Sequence, residues 1–257
     1  MSQTAPSAWL ASDDIEARFG RLQLRLAKTK QDMQAVQRLR AVRFRGDLRV
    51  SDLDRFDPFC AHLLVSDADD GAALCAARLR LLCDHEEITR SYCAQVYDLE
   101  RLAASGLRLM EIGRICLRED HVQDPDTPRA LLAGLTRAAR AGAADMLIGC
   151  ASFRGADPER HRAALRYLHA RHIGPEDLRP TRGTGEICEL AFAAGTVAAD
   201  DLRGIPALLR LYLAMGGWVS DHAVCDRDLD TLHVFAAVDI SAIPAARLQR
   251  LQMLARR

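Results

Sequence analysis

Hydrophobic and polar positions alternate at two periods along this chain, and each change of period marks an element. Leu22, Leu24 and Leu26 against Gln23 and Arg25 repeat every second residue, which predicts a half-buried strand over residues 21–27. Met33, Val36, Leu39, Arg40, Arg43 and Phe44 then recur at helical spacing, with Thr29 placed to cap the helix and Gly46 to end it. Residues 62–66 read as a strand, Asp67-Ala68-Asp69-Asp70-Gly71 as a hairpin turn, and residues 72–83 as the return strand, with Arg78 and Arg80 on one face. A weak extended segment over 91–98 and a short helix near 99–104 follow. Residues 146–153 form a continuous apolar run, read as a buried strand parallel to a neighbour. Before it, Thr127 is placed to cap a helix over residues 128–143 with an inner stripe of Leu131, Leu132, Leu135, Ala138 and Ala139. Residues 157–172 predict a helix with His161, Leu165, Leu168 and His172 on one face. There a histidine is more often a hydrogen-bonded core residue than a ligand. Further strands are expected at 187–192, 218–225 and 231–240, and helices at 204–215 and 244–254. Residues 1–20 are polar and read as a mobile or loosely docked N-terminal arm ahead of a single domain over 21–257. Strands alternating with helices point to an α/β or α+β fold with a central sheet.

Composition narrows the function classes. Half of the 257 residues are hydrophobic, enough for a substantial core, and the formal net charge is zero with no charged tail. That argues against nonspecific nucleic-acid binding. Lys28 and Lys30 are the only lysines, so the basic residues are almost all arginine, which suits carboxylate and phosphate recognition. The eight cysteines contain no C-x-x-C pair and sit in apolar runs, as small core residues of a cytoplasmic protein do. Asp13, Asp14 and Glu16 do not fit a signal peptide. No apolar run approaches the roughly 20 residues of a membrane span, so any membrane contact would be peripheral.

The candidate chemistry centres on Leu109-Met110-Glu111-Ile112-Gly113-Arg114-Ile115-Cys116-Leu117, an apolar strand with a carboxylate and a guanidinium inside it. In a regular strand Glu111 and Arg114 face opposite sides. A bulge at Gly113 would turn both to one side, whereas a structural ion pair at a sheet edge is the plainer reading. Residues 47–61 hold Asp47, Asp52, Asp54 and Asp57; they read either as turn chemistry or as an acidic wall for a cationic substrate. Asp54, Asp57, His62, Arg78, Glu111, Arg114 and Glu189 together would hold a small zwitterion and take a proton from an amine. There is no Walker loop and no G-x-G-x-x-G. The glycines around Ser152 in Gly149-Cys150-Ala151-Ser152-Phe153-Arg154-Gly155 are wrongly spaced for a hydrolase elbow, and no cluster has metal-ligand spacing, so no metal is expected.

Several blocks in order resemble one family. They are Leu53-Asp54-Arg55-Phe56-Asp57-Pro58-Phe59-Cys60-Ala61-His62-Leu63-Leu64-Val65, the Glu111-Ile112-Gly113-Arg114 strand, and residues 147–157 followed by Ala164-Leu165-Arg166-Tyr167-Leu168-His169. The fourth is Gly204-Ile205-Pro206-Ala207-Leu208-Leu209-Arg210-Leu211-Tyr212-Leu213. The set, covering about residues 21–240, resembles the L-ornithine N(alpha)-acyltransferases (ornithine–acyl carrier protein N-acyltransferases) of the GNAT superfamily, distant relatives of acyl-homoserine lactone synthases. The resemblance implies a GNAT-like fold. Its central twisted mixed sheet, flanked by helices, would be splayed between the strands at 109–117 and 146–153 to admit a phosphopantetheine arm. It implies transfer of a 3-hydroxyacyl chain from acyl carrier protein to the α-amine of L-ornithine, giving lyso-ornithine lipid. Acetyl-CoA-using relatives carry [QR]-x-x-G-x-[GA] where this chain reads Asp124-Pro125-Asp126-Thr127-Pro128-Arg129-Ala130. Without glycine, and with two aspartates facing any phosphate, that stretch suits a donor lacking the pyrophosphate, and no bound cofactor is expected beyond the donor's own arm.

On that resemblance Glu111 is the expected general base, Arg114 orients it or clamps the acceptor carboxylate, and Ser152 protonates the leaving thiolate. Asp54 and Asp57 receive the ornithine ammonium, with His62 beside them and Arg78 as a second carboxylate clamp. Arg118, Arg129, Arg137 and Arg140 are expected to dock the acidic carrier protein. Contact with the inner surface of the cytoplasmic membrane is the remaining expectation. Two rivals stay open: the same donor with another acceptor such as glutamine, or a noncatalytic protein that binds acyl carrier protein or a membrane surface.

Overall fold

The computed structural model describes residues 9–121 and 124–256. Its strands are β1 (Ala17–Phe19), β2 (Leu22–Leu26), β3 (Ala61–Asp67), β4 (Ala73–Leu82), β5 (Tyr97–Asp98) and β6 (Leu109–Leu117). They continue as β7 (Met146–Arg154), β8 (Thr181–Arg182), β9 (Glu186–Glu189), β10 (Trp218–Asp226) and β11 (Thr231–Asp239). The helices are α1 (Ser12–Ile15), α2 (Lys30–Arg40), α3 (His85–Thr89) and α4 (Glu100–Ala104), then α5 (Asp126–Ala141), α6 (Arg162–Arg171), α7 (Ala207–Ala214) and α8 (Ala245–Ala255). These residues group into two compact units, the first made of residues up to Leu81, Ile112–Ala144 and Ala245 onward, the second of Leu82–Glu111 and Asp145–Pro244. β6 gives its first three residues to the second unit and the remainder to the first.

In the first unit the strand order is β1-β2-β3-β4-β6. The alternation expected in β2 is present: Leu22, Leu24 and Leu26 are buried while Gln23 is exposed. Thr29 caps α2 through a capping box with Asp32, and the helix lays Val36 and Leu39 against Leu64, Ala76 and Cys116. On β2 and β3 lies α5, which can approach closely because Gly134 faces them. A methyl group there would stand 2.9 Å from Leu24 and 3.2 Å from Leu63. Thr127 does not cap α5. The helix starts at Asp126, and the Asp124 carboxylate takes the Asp126 and Thr127 amides at 3.0 and 3.3 Å and the Thr127 hydroxyl at 2.7 Å.

Of the expected mobile arm, residues 1–8 lie outside the described residues, while residues 9–20 are packed. β1 pairs with β2, and Leu10 and Ile15 are fully buried, since each has enough apolar area to hold its segment down. Arg137, expected at a docking face, is spent inside this unit. It donates to the carbonyls of Ala255 at 2.6 Å, Ile15 at 3.3 Å and Glu16 at 2.9 Å, joining α5 to both ends of the chain.

In the second unit the order is β6-β7-β11-β10-β9, antiparallel except for the parallel β6–β7 pair. β7 pairs with β11 along its whole length, but its pairing with β6 covers only Leu109↔Met146, Met110↔Leu147 and Glu111↔Ile148. The splay expected of this fold needs parallel pairing that stops partway, and it stops at Glu111. α6 and α7 cover one side of this sheet with Leu165, Leu168, Leu209 and Leu213; Tyr97, Leu99, Leu102 and Trp218 fill the other core. Residues 91–98 are extended only at their end, in β5. Asp84 caps α3 through the Glu87 amide, and a 3-10 turn over Cys93–Gln95 precedes the short β5–β8 pair. That pair depends on Gly183, where a methyl group would meet the Val96 carbonyl oxygen at 2.3 Å.

Candidate active site

The first unit buries an arginine–aspartate cluster. Arg40 closes the apolar stripe of α2 and is 1 % exposed, so its guanidinium must find every partner inside the protein. It donates from Nε to Asp52 at 3.0 Å, from the two terminal nitrogens to Asp57 at 2.6 and 3.2 Å, and to the Asp52 carbonyl. α2 continues into a π-helical turn over Ala41–Arg45, closed by left-handed Gly46 at φ 70°. Residues five apart on an α-helix diverge by about 140°. The wider π turn brings Arg45 round to the same side as Arg40, and Arg45 Nε reaches Asp52 at 3.2 Å. From β4, Arg78 donates to Asp54 at 2.6 Å and to Asp57 at 3.1 Å. Arg114 on β6 donates to Asp52 at 3.0 Å, lies 3.5 Å from Asp54 and covers the Phe44 ring at 5.5 Å.

Asp52, Asp54 and Asp57 are therefore not an open acidic wall. Four guanidinium groups face these three carboxylates. Asp57 in particular is consumed: besides the two arginines it accepts the Asp54 amide at 2.8 Å. Burial pushes the Asp57 carboxyl up, but the Arg40 hydrogen bonds and the Arg40 and Arg78 charges outweigh it and hold it at about 2. His62 stands opposite Arg78 in the β3–β4 register, with Nε2 3.3 Å from the Asp57 carbonyl. Burial drives its pKa down more strongly than Asp57 raises it, so the ring is neutral. Two atoms here are buried without a hydrogen bond: His62 Nδ1, and Asp54 Oδ2, which lies 3.5 Å from the Arg114 guanidinium.

Within β6 the backbone departs from extended geometry at Arg114, one residue beyond the expected bulge position. Its φ of 50° is left-handed, a conformation that costs a non-glycine residue roughly 1–3 kcal/mol. The cluster offsets that cost by pairing the guanidinium.

In the second unit Glu111 is buried and bound by two backbone amides, from Tyr92 at 3.1 Å and Cys93 at 2.8 Å. An ionised carboxylate has about four acceptor positions, so two remain. Cys93 Sγ lies 3.6 Å from Cys150 Sγ on β7. Cys150 is cross-strand to Phe235, and Ser152 to His233, so Cys150, Ser152 and His233 share one face of the sheet. Cys93 and the His233 imidazole both stabilise a Cys150 thiolate, which lowers the Cys150 pKa against its burial. Burial lowers His233, and the Cys150 charge and hydrogen bond raise it further than that. Tyr97 completes the network, donating to the His233 carbonyl at 2.9 Å. Cys93, Cys150, Tyr97 and His233 were not nominated from the sequence, because spatial neighbours 57 to 136 residues apart leave no local pattern. Arg40 did leave a signal: a charge at an apolar-stripe position of α2.

The remaining nominated residues are dispersed. Ser152 is exposed on β7. Glu189 pairs with Arg182 at the surface. Arg118 and Arg129 bond to Asp120 and Asp126, and Arg140 is exposed. His161, on the expected histidine stripe, bonds the Gly155 carbonyl at 2.9 Å and packs on Phe153. Among the described residues no group of His, Cys, Asp and Glu could hold a metal ion, and no helix is long and apolar enough to cross a membrane.

Comparison with known proteins identifies the lineage. A family described as Acetyltransferase (GNAT) domain matches residues 39–132. An L-ornithine N(alpha)-acyltransferase of Rhodobacter capsulatus is 34 % identical over 86 % of this chain and 91 % of its own length. The enzyme of that name from Brucella abortus is 31 % identical over 89 % of this chain and 88 % of its own. Among solved structures, an N-acyl amino acid synthase from uncultured soil microbes aligns with a TM-score of 0.49 at 9 % identity, covering 88 % of this chain and 98 % of that one.

Two outcomes follow from the site geometry. Asp57 is ionised far below its usual 3.8, so its stabilising effect is complete above that pH and is lost as pH falls toward about 2. His62 acts with the same sign from its usual 6.5 downward. Urea unfolding across this range should show Asp57→Asn losing about 3–5 kcal/mol at neutral pH and lacking the wild-type decline below pH 3.8. A wild-type acid slope in that variant would place the acid sensitivity elsewhere. Secondly, iodoacetamide should alkylate Cys150 ahead of Cys93, with a pH midpoint below that of an ordinary thiol that rises in His233→Gln. Equal midpoints in the two proteins would exclude the thiolate–imidazolium pair.

Proposed function

This chain belongs to the L-ornithine N(alpha)-acyltransferase family, and on that footing we propose that it moves a 3-hydroxyacyl chain from acyl carrier protein to the α-amine of L-ornithine. The reading is carried by the similarity to relatives of that name, at 34 and 31 % identity over 86 and 89 % of this chain. The product is an N-acylated amino acid, lyso-ornithine lipid, the first intermediate of a phosphorus-free lipid.

The chemistry requires that an ammonium lose a proton before it attacks a thioester. Glu111, oriented by two amides and with acceptor positions to spare, takes that proton directly or through water. Arg114 and Arg78 clamp the acceptor's carboxylate. Asp54, through Oδ2, receives the side-chain ammonium; Asp57 positions the arginines instead. The Cys150–His233 pair, on the same face as Ser152, is a source of the proton that the leaving thiolate needs. A donor without a pyrophosphate fits the start of α5, because the amides that would cradle a phosphate are already taken by the Asp124 carboxylate. Asp124 is held at about 2, first by the Thr127 hydroxyl, so it stays ionised there at neutral pH and repels an anion.

The test is an acyl-transfer assay with 3-hydroxyacyl carrier protein, offering ornithine, lysine, glutamine and homoserine, with product mass as the readout. An acyl-ornithine product is expected, with glutamine and homoserine far poorer. Asp54→Asn should raise the KM for ornithine by about tenfold or more with a smaller change in kcat, as loss of a charged contact does. Glu111→Gln should lower kcat. Acylation of glutamine in preference to ornithine would overturn the acceptor, and an unchanged KM in Asp54→Asn would remove Asp54 from the acceptor site.

A further inference from the structure

Large exposed hydrophobic side chains are unevenly distributed over the described residues. Of Val42, Leu48, Val50, Leu53, Phe59, Leu202 and Met253, the first five fall within one segment, residues 42–59. Leu48 is 64 % exposed and Leu53 50 %, against fully buried leucines throughout β2, β3 and β4. A single exposed leucine needs no explanation, but a run of them in one segment does.

The segment is also held in place from below. Between Gly46 and Cys60 its only regular structure is a 3-10 turn over Asp57–Phe59, yet Asp52 and Asp57 are buried and bonded to Arg40. Two carboxylates that would ordinarily face water in such a loop, Asp52 and Asp57, point inward. The apolar side chains are held outward, which is the reverse of what loop sequences usually do. Exposure here is imposed by the buried ion pairs.

The exposed positions of the segment include arginines as well as apolar residues. Arg43, Arg49 and Arg55 are exposed between the hydrophobic positions, while the charges of Asp52 and Asp57 are spent inside. The acidic neighbours on this side are Asp47, bonded to Arg49 at 2.8 Å, and Glu119, 3.7 Å from Arg43. Arginines interspersed with Leu, Val and Phe match an anionic lipid surface: the guanidinium groups meet headgroup phosphates and the apolar side chains enter the acyl boundary. An acidic protein would use the arginines and leave Leu48, Val50 and Leu53 in water.

We propose that residues 42–59 dock the protein on an anionic membrane surface through Val42, Leu48, Val50, Leu53 and Phe59, with Arg43, Arg49 and Arg55 as the headgroup contacts. This deepens the functional reading and rests on it for its purpose, since an N-acylated amino acid is an amphiphile that must reach a bilayer.

The experiment is flotation of the full chain with phosphatidylcholine–phosphatidylglycerol vesicles and with phosphatidylcholine vesicles alone. Binding to the anionic vesicles is expected, weakened by salt and absent or much weaker on phosphatidylcholine. Leu48→Ser with Phe59→Ser should reduce the bound fraction about tenfold or more, and Val50→Ser with Leu53→Ser should do the same. All four sites are exposed, so melting temperature should be unchanged. Acyl transfer from a soluble donor should also persist in both variants. No flotation of the wild-type chain, or flotation that both double variants retain, would overturn the proposal. So would displacement of the vesicles by an acidic carrier protein with the same variant sensitivity, which would assign the face to that partner. A protein that floats as described but transfers no acyl group would refute the functional reading and leave the docking face standing.

Discussion

A guanidinium removed from water has to be paired, and Arg40 imposes that requirement on the first unit. At 1 % exposure it reaches Asp52 and Asp57, seventeen residues on at the farther one, and those two carboxylates draw in Arg45, Arg78 and Arg114. A loop with almost no regular backbone hydrogen bonding thereby becomes a defined surface. Removing one partner from such a cluster leaves an uncompensated buried charge, so the carboxylates are constrained by the arginines as strictly as core leucines are by one another. The left-handed Arg114, the π turn before Gly46 and the outward hydrophobic side chains of the 42–59 segment all follow from satisfying this cluster.

β6 contributes residues to both units. Its first residues pair with β7 and end on Glu111, whose carboxylate orients the Tyr92–Cys93 backbone. Three residues later the strand turns left-handed so that Arg114 can enter the cluster. Glu111 and Arg114 thus sit close together in sequence but answer to different surroundings. The Glu111 side leads to Cys93, Cys150, His233 and Tyr97, the Arg114 side to the arginine–aspartate cluster.

Much of this was legible beforehand. The ordered blocks around Asp54, Glu111, Ser152 and Tyr212 led to the acyltransferase family, and similarity to named relatives over most of the chain places it there. The periodicities located β2, α2, β6, β7, β10 and β11 to within a residue or two. The misreadings have definite causes. Thr127 has the right residue type for a cap, but Asp124 is nearer the first free amides. Residues 9–20 look polar as a string, yet two buried side chains, Leu10 and Ile15, suffice to dock them. Arg137 sits on a helix whose charges suggest a surface for a partner, and it serves chain carbonyls instead.

What the sequence determined by itself is whatever depends on neighbours a few residues away: strand and helix period, turn residues, the order of blocks, and the presence of a carboxylate and a guanidinium inside one apolar strand. What only the tertiary structure decided is which charges neutralise which. Whether Asp54 and Asp57 form an open acidic wall or the buried half of an arginine cluster depends on Arg40, Arg78 and Arg114, which approach from three separate elements. Whether Cys150 lies in a purely apolar core or beside the His233 imidazole depends on β11 lying beside β7. Electrostatic partners are set by distance in space, and hydrophobic periodicity carries no record of that distance.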